Sequence, residues 1–162
     1  MLYSGAAAEA SRLGISAIAF SGASGAHVSY TTLSSSPDDT STHAARTYAS
    51  LTVHFLRTFL RAAAPPLGPN VILNVNYPPV ERCPDPAAYR WVLARNLWNP
   101  FASDVRTCGS TRLPAESDVV GREDGCYVGV TALSATTKTD VGRATQAAVI
   151  ATLQSLPLSC LD

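Results

Sequence analysis

The sequence is poor in charged side chains, and in lysine above all. Charged residues make up 15% of the 162 residues, and lysine occurs once against eleven arginines. The formal net charge is zero and the arginines stand singly, so no basic surface for a nucleic acid polymer is predicted. No window holds about 18 consecutive apolar residues, which disfavours a membrane span. No charged region followed by an apolar core opens the sequence, so it shows no signal peptide.

Cysteine and histidine are too few and too scattered for a zinc site. The four cysteines, Cys83, Cys108, Cys126 and Cys160, form no C-x-x-C pair, and no histidine lies near them in the sequence. They allow two disulfides in three connectivities. Their even number modestly favours an oxidising environment, which is compatible with secretion but does not establish a location. We expect Cys108 to pair with Cys126, which would staple the loop before the last strand.

The sequence is rich in apolar residues, and its first stretch organises the rest. Hydrophobic residues make up 46% of the chain, enough for one domain with a real core. A helix is predicted from Tyr3, ended by Gly14, and a buried strand follows over residues 15–20. Ser4 and Gly5 lie where this helix begins, and free backbone N–H groups there suit an anion such as phosphate. The alternative is an ordinary serine cap beside a small residue.

A second helix and strand predict a parallel sheet. Ser36-Pro37-Asp38-Asp39 resembles a helix entry, and apolar residues then recur at threes and fours up to the helix-breaking pair Pro65-Pro66. Residues 70–76 have the composition of a buried strand. Strand, helix and strand in this order favour a right-handed crossover between parallel strands.

The pattern changes at Pro78-Pro79. Residues 89–95 and 126–133 are predicted strands, and Thr137-Lys-Thr-Asp140 resembles a capping box that opens a final helix running to about Leu156. The sequence therefore predicts a single α/β domain over residues 1–162. Within it, residues 1–78 form a parallel-sheet part, and residues 79–162 form an antiparallel extension with a C-terminal helix.

No complete catalytic set is visible in the residues. Ser24, in Gly22-Ala-Ser-Gly-Ala26, approximates the nucleophile elbow of serine hydrolases, but the required helix, acid and later histidine do not follow it. Asp38 and Asp39 are better explained by the helix dipole than by a metal. The acids of Glu116-Ser-Asp118 and Glu123-Asp124-Gly125 are expected to be solvated turn residues.

Several stretches together match one known pattern, in the right order. They are Tyr3 to Ala10, Gly14 to Ser21, Leu73 to Pro78, Asp124 to Val130, Thr136 to Val141 and Ala144 to Ala147, with Tyr89 to Arg95 and Cys108-Gly109 as weaker support. This ordered set resembles the SurE-like survival proteins, which are metal-dependent acid phosphatases and nucleotidases, and in particular their fungal relatives.

The resemblance implies a fold, an activity and a site. The implied fold is a Rossmann-like sheet with a long hairpin and a C-terminal helix, commonly paired between subunits as a homodimer or larger homo-oligomer. The implied activity is hydrolysis of phosphomonoesters, such as nucleoside monophosphates, with Mg²⁺ or Mn²⁺. The family holds that metal on an Asn-Asp-Asp-Gly segment that this sequence lacks. Only Ser4 and Gly5 carry over, as phosphate-neighbouring positions, and Ala6 replaces the family's usual threonine.

These implications lead to two hypotheses. In the first, the chain is the C-terminal portion of a SurE-like phosphomonoesterase, inactive alone, with no catalytic residue or metal ligand of its own. In the second, it is a non-catalytic module for anion binding or oligomerisation. Neither hypothesis includes a membrane or a nucleic acid polymer as partner.

Overall fold

A computed structural model describes residues 3–61 and 67–161, and it describes Tyr3 and Ser4 by their backbone alone. The helices are α1 (Tyr3–Arg12), α2 (Thr32–Ser35), α3 (Thr40–Leu60), α4 (Glu116–Gly121) and α5 (Arg143–Thr152), with a short 3₁₀ turn at Pro86–Ala88. The strands are β1 (Ala17–Gly22), β2 (Val71–Tyr77), β3 (Tyr89–Ala94) and β4 (Cys126–Ser134). None of the described helices combines the length and apolar character needed to cross a bilayer.

The four strands form one mixed sheet in the order β1-β2-β4-β3. β1 and β2 are parallel neighbours, with Ala17 beside Ile72 and Gly22 beside Tyr77. The long helix α3 lies between them in the chain, so the predicted parallel pair with a helical connection is confirmed. Its right-handed sense stays a prediction. β4 then pairs antiparallel with β2.

The predicted antiparallel hairpin after Pro79 is wrong. β3 and β4 pair parallel, and both belong to the same sheet as β1 and β2. Parallel neighbours need a long crossover, and residues 95–125 with α4 provide one. Alternation of side chains is the same in parallel and antiparallel strands, so the sequence pattern could not give the strand direction.

Helices cover both faces of the sheet. On one face, Phe55 and Phe59 of α3 and Leu153 beyond α5 pack against alternate residues of β2 and β4. On the other face, α1 packs through Ala7 and Ala8, and α4 packs through Val119 at the opposite edge. This three-layer arrangement explains why β2 is apolar almost throughout.

Two helices begin later than the sequence predicts. The α3 helix starts at Thr40, where the Asp39 carboxylate accepts a hydrogen bond from Ser41 N–H, and not at Ser36. It ends at Leu60, and the predicted terminator Pro65-Pro66 lies outside the described residues. The α5 helix starts at Arg143, so the predicted capping box is wrong. Asp140 instead contacts Arg95 and the backbone N–H groups of Asn96 and Leu97.

Asp140 belongs to a buried ionic cluster that holds residues 95–113 against the sheet. Arg95, at the end of β3, pairs with Asp104 and lies 3.4 Å from Asp140. The two carboxylate side chains are only 1% and 4% exposed. Asp140 also accepts hydrogen bonds from the backbone N–H of Asn96 and Leu97, at 2.7 and 3.0 Å. The ion pairs and hydrogen bonds of these two carboxylates therefore hold the segment in place, although it forms no helix or strand of its own.

The predicted pairing of Cys108 with Cys126 is also wrong. Cys83 bonds Cys126, and Cys108 bonds Cys160. Cys126 begins β4 directly beside Tyr89 of β3, whose hydroxyl donates to Cys83 O at 2.9 Å, so Cys83 is the near partner. The strand order, which the sequence does not show, decides the pairing.

Candidate functional site at the carboxyl ends of β1 and β2

The α1 helix runs antiparallel to β1, on which it packs. Gly14, with φ of +83°, turns the chain between them, and Ile15 N–H donates to Ala10 O. Ala7 and Ala8 lie against Ala19 of β1. The N-terminus of α1 is therefore at the carboxyl end of β1 and of its parallel neighbour β2. Ligands of open α/β sheets bind at this end.

Ser4 and Gly5 both lie in the first turn of α1, which begins at Tyr3. Apart from its chain neighbours and the backbone of its own helix, a Cβ atom built at Gly5 would meet none of the described atoms within 4 Å. The backbone is thus open to a ligand at this position. The Ser4 side chain lies outside the described atoms, so the phosphate-binding roles of Ser4 and Gly5 stay predictions.

Hydrogen bonds join the loop after β1 to the segment after β2. Ser24 Oγ donates to the Glu81 carboxylate and accepts from Val80 N–H at 3.1 Å. Ser24 N–H donates to the Tyr48 hydroxyl at 3.0 Å, and that hydroxyl donates to Pro78 O at 2.9 Å. The Ser24 hydrogen bond keeps the pKa of the Glu81 carboxyl below its usual value. These contacts fix both loops where a ligand would lie.

The same contacts give Ser24 a structural role. Its hydroxyl bonds a carboxylate and a backbone amide, and a short α2, beginning only at Thr32, is the next helix. The geometry does not match the strand–turn–helix of a nucleophile elbow. Tyr48 and Glu81 were missed by the sequence analysis, because a single tyrosine in an apolar stripe carries no distinguishing pattern.

A polar cluster occupies the centre of the sheet between α1 and α4. Asn74 Nδ2 donates to Glu116 Oε2 at 3.0 Å, and Asn76 also bonds this carboxyl. Thr131 of β4 donates to it at 3.3 Å. A Cβ at Gly129 would lie 3.1 Å from Glu116 Cγ, so glycine leaves the room that this side chain fills. The two asparagines are two residues apart in an apolar strand, which places both on one face and could have signalled the cluster.

Glu116 is therefore not the solvated turn residue that the sequence suggested. Burial raises the pKa of the Glu116 carboxyl, against the lowering effect of its hydrogen bonds from Asn76, Asn74 and Thr131. Its raised pKa favours folding at low pH, and this contribution is lost as the pH rises through that pKa. Asp118, Glu123 and Asp124 are exposed, as expected.

The described residues do not fit a resident metal ion. Within residues 3–61 and 67–161, no group of three or more histidine, cysteine, aspartate or glutamate side chains is arranged to hold one. Asp39 caps α3, as the dipole interpretation expects, and Asp38 is exposed beside it. His43 Nε2 is buried and has no hydrogen-bond partner among the described atoms.

Comparison with known proteins gives one match. The family model for Survival protein SurE matches residues 1–99, which is more than half of the chain. No curated protein and no solved structure matches this chain. The SurE family is associated with metal-dependent phosphatase and nucleotidase activity, and the mixed sheet with parallel pairs is consistent with its Rossmann-like fold.

Proposed function

We propose that this chain, which belongs to the SurE family, forms the phosphate-binding part of a phosphomonoesterase of the phosphatase or nucleotidase type. In the reaction, water attacks phosphorus and the ester oxygen leaves as an alcohol. The chain's own contribution is to hold the phosphate group at the first turn of α1. The observation that carries this proposal is the open backbone at Gly5, at the carboxyl end of the parallel strands.

Physical chemistry favours a phosphate at this place. The first N–H groups of a helix have no partner inside the helix, and the helix dipole adds about half a positive charge there. Glycine lets phosphate oxygens approach these N–H groups closely. The first turn of α1 contains no acidic residue that would repel the anion. Amides fixed in this way stabilise the negative charge of the phosphate and of the transition state.

We further propose that the metal of the family is held by residues outside those described. We therefore expect these 162 residues, given Mg²⁺ or Mn²⁺, to bind phosphate without turning over p-nitrophenyl phosphate or a nucleoside monophosphate. Release of p-nitrophenol over time measures this, with addition of a SurE-family segment that carries Asn-Asp-Asp-Gly as the positive arm. Turnover by the 162 residues alone would contradict the proposal. Phosphate binding with no turnover in either arm would favour the non-catalytic module.

Gly5→Ala separates phosphate binding from helix stability. Outside its own helix, the methyl group meets none of the described atoms within 4 Å, and alanine is the better helix former. The free energy of unfolding should therefore rise by up to about 1 kcal/mol. The same methyl group would obstruct a phosphate oxygen. We expect phosphate affinity to fall about tenfold or more, the equivalent of one charge-assisted hydrogen bond. Calorimetric titration with inorganic phosphate and thermal unfolding give the two values.

Gly121→Ala is the matched control. Gly121 is the last residue of α4, and a Cβ there also meets nothing within 4 Å. This variant should gain stability and bind phosphate as the wild type does. Wild-type phosphate affinity in Gly5→Ala would refute the assignment of Gly5.

A further inference from the structure

The outer edge of β3 is covered by two separate segments of the chain. β3 is the last strand of the sheet, so one of its edges has no neighbouring strand among the described residues. Within the strand, Trp91 forms a bridge with Leu158, and Trp91 O accepts a hydrogen bond from Ser159 N–H at 2.7 Å. Just beyond the end of β3, Arg95 N–H donates to Pro114 O at 2.8 Å. The C-terminal segment and the segment before α4 therefore each protect part of the edge.

Leu93 lies between these two segments, and its backbone groups point to the same outer edge. In a regular strand, successive residues direct their N–H and C=O groups to opposite edges, and β3 pairs with β4 without a bulge. Since Trp91 and Arg95 both bond outward, Leu93 also points outward. Neither its N–H nor its C=O has a partner among the described residues, although Leu93 is only 4% exposed. Buried backbone groups without partners are rare, so this pair marks a position at which a ligand can bond.

A cavity opens at this gap in the edge. It has a volume of about 540 Å³, within the range of about 300–1,000 Å³ that is usual for small-molecule sites. Leu93, Pro114 and Ser159 all line it, so the outward groups of Leu93 and the two covering segments share one space. Apolar side chains form much of the remaining wall: Val92, Leu113, Ile150, Leu158 and Leu161.

One positive charge lies in the wall of the cavity. Arg112 is the only charged residue among the described residues that line it. Its backbone exchanges hydrogen bonds with Ser110, and its guanidinium has no ion pair or hydrogen bond within the described residues. The disulfide between Cys108 and Cys160 also lines the cavity and ties the loop that carries Arg112 to the C-terminal segment. The walls are thus joined covalently before any ligand arrives.

We propose that this cavity binds an N-acylated amino acid that has an apolar side chain and a free carboxylate. The ligand's N–H donates to Leu93 O and its carboxylate accepts from Leu93 N–H, as two opposite residues do in an antiparallel hydrogen-bonded pair. The carboxylate also pairs with the guanidinium of Arg112. The acyl group and the apolar side chain pack against the apolar wall. This binding goes beyond the proposed function and does not depend on phosphate at α1.

The covered edge limits the ligand to this size. A longer peptide strand would need the outward groups of Trp91 and Arg95, which Ser159 and Pro114 already occupy. At about 3.3 Å per residue, Trp91 and Arg95 are about 13 Å apart, which leaves room for one amino acid with its acyl group. The occupant is therefore a free small molecule, and a strand added by a partner protein does not fit.

Calorimetric titration with N-acetyl-L-leucine tests the proposal, and two analogues each remove one interaction. Methylation of the amide nitrogen removes the donor to Leu93 O, and the methyl ester removes the charge that pairs with Arg112. We expect the affinity to fall about threefold to tenfold for the N-methyl analogue and at least about tenfold for the ester, because charge-assisted hydrogen bonds are the stronger ones. Equal affinities for the three probes, or no binding of N-acetyl-L-leucine, would overturn the proposal.

Arg112→Gln removes the charge from the cavity wall. The affinity for N-acetyl-L-leucine should fall at least about tenfold, to the level of the ester. Arg106→Gln is the matched control, because Arg106 is exposed in the same loop and does not line the cavity, and it should bind as the wild type does. In the wild type, the amide resonance of Leu93 should shift saturably, and that of the already bonded Arg95 should shift less. Unchanged affinity in Arg112→Gln, or no shift at Leu93, would refute the assignment.

Discussion

Replacing Arg95 with leucine is expected to lower the free energy of unfolding by about 3–5 kcal/mol, the usual cost of breaking a buried ion pair by removing one partner. For a protein of this size, that corresponds to a fall in Tm of about 6–20 °C. The loss is large because Arg95 is the cation for two carboxylates at once, Asp104 and Asp140.

Among the described residues, Arg95 is the only cation that forms an ion pair with either carboxylate. Asp104 keeps hydrogen bonds from Gln146 Nε2 at 2.8 Å and Leu113 N–H at 3.0 Å, but these are neutral donors. Its side chain is 1% exposed, so water cannot solvate the charge. The backbone amides that Asp140 holds belong to the same segment, so residues 95–113 should loosen together.

Arg90→Leu is the control for this change. Arg90 lies on the same strand and is exposed; its side chain lies 6.0 Å from the centroid of the Tyr127 ring and interacts electrostatically with the exposed Asp124. Denaturant unfolding of both variants measures the difference. Similar, small losses in the two variants would contradict a structural role for the ionic cluster.

Loss of the disulfide between Cys83 and Cys126 is the second large effect. The bond joins residues 43 apart, and the chain-entropy model assigns about 4 kcal/mol to a loop of that length. The bond between Cys108 and Cys160 joins residues 52 apart and receives about the same value. Cys83 is 1% exposed within the main core, whereas Cys108 and Cys160 are both exposed.

This difference in exposure predicts an order. The double variant Cys83→Ala/Cys126→Ala should lose more stability than Cys108→Ala/Cys160→Ala, because it also removes core packing. Mild reductant should open Cys108–Cys160 first. Non-reducing peptide mapping during reduction checks the order and the pairing together. A peptide linking Cys108 to Cys126 would contradict the structure and restore the pairing expected from the sequence.

The first half of the fold could be predicted because its signals are local. Periodicity placed α3, a glycine ended α1, and the order of strand, helix and strand gave the parallel pair β1 and β2. The second half depends on contacts that are distant in sequence. The direction of β3 against β4 decides the disulfides, and Asp140 serves the ionic cluster where its spacing suggested a helix cap.

The candidate site shows the same division. The Ser4-Gly5 motif is visible in the sequence, because a helix start has a recognisable pattern. The contacts of Ser24 with Tyr48 and Glu81 are not visible, since they join a loop, a helix and the segment after β2, which meet only in the folded chain. The environment of Glu116 likewise depends on contacts that are distant in sequence, because its partner Asn74 in β2 lies 42 positions earlier.

Titration of the isotope-labelled chain with inorganic phosphate, followed through the backbone amide resonances, tests the central claim most directly. The account predicts saturable shifts centred on the amides of residues 3–6, at the start of α1. The N-terminus of α5, which begins after Gly142 without a side-chain cap, serves as an internal control because it lies outside the proposed site. Shifts of equal size at Gly142 and Arg143, or no saturable shift at residues 3–6, would contradict phosphate binding at α1.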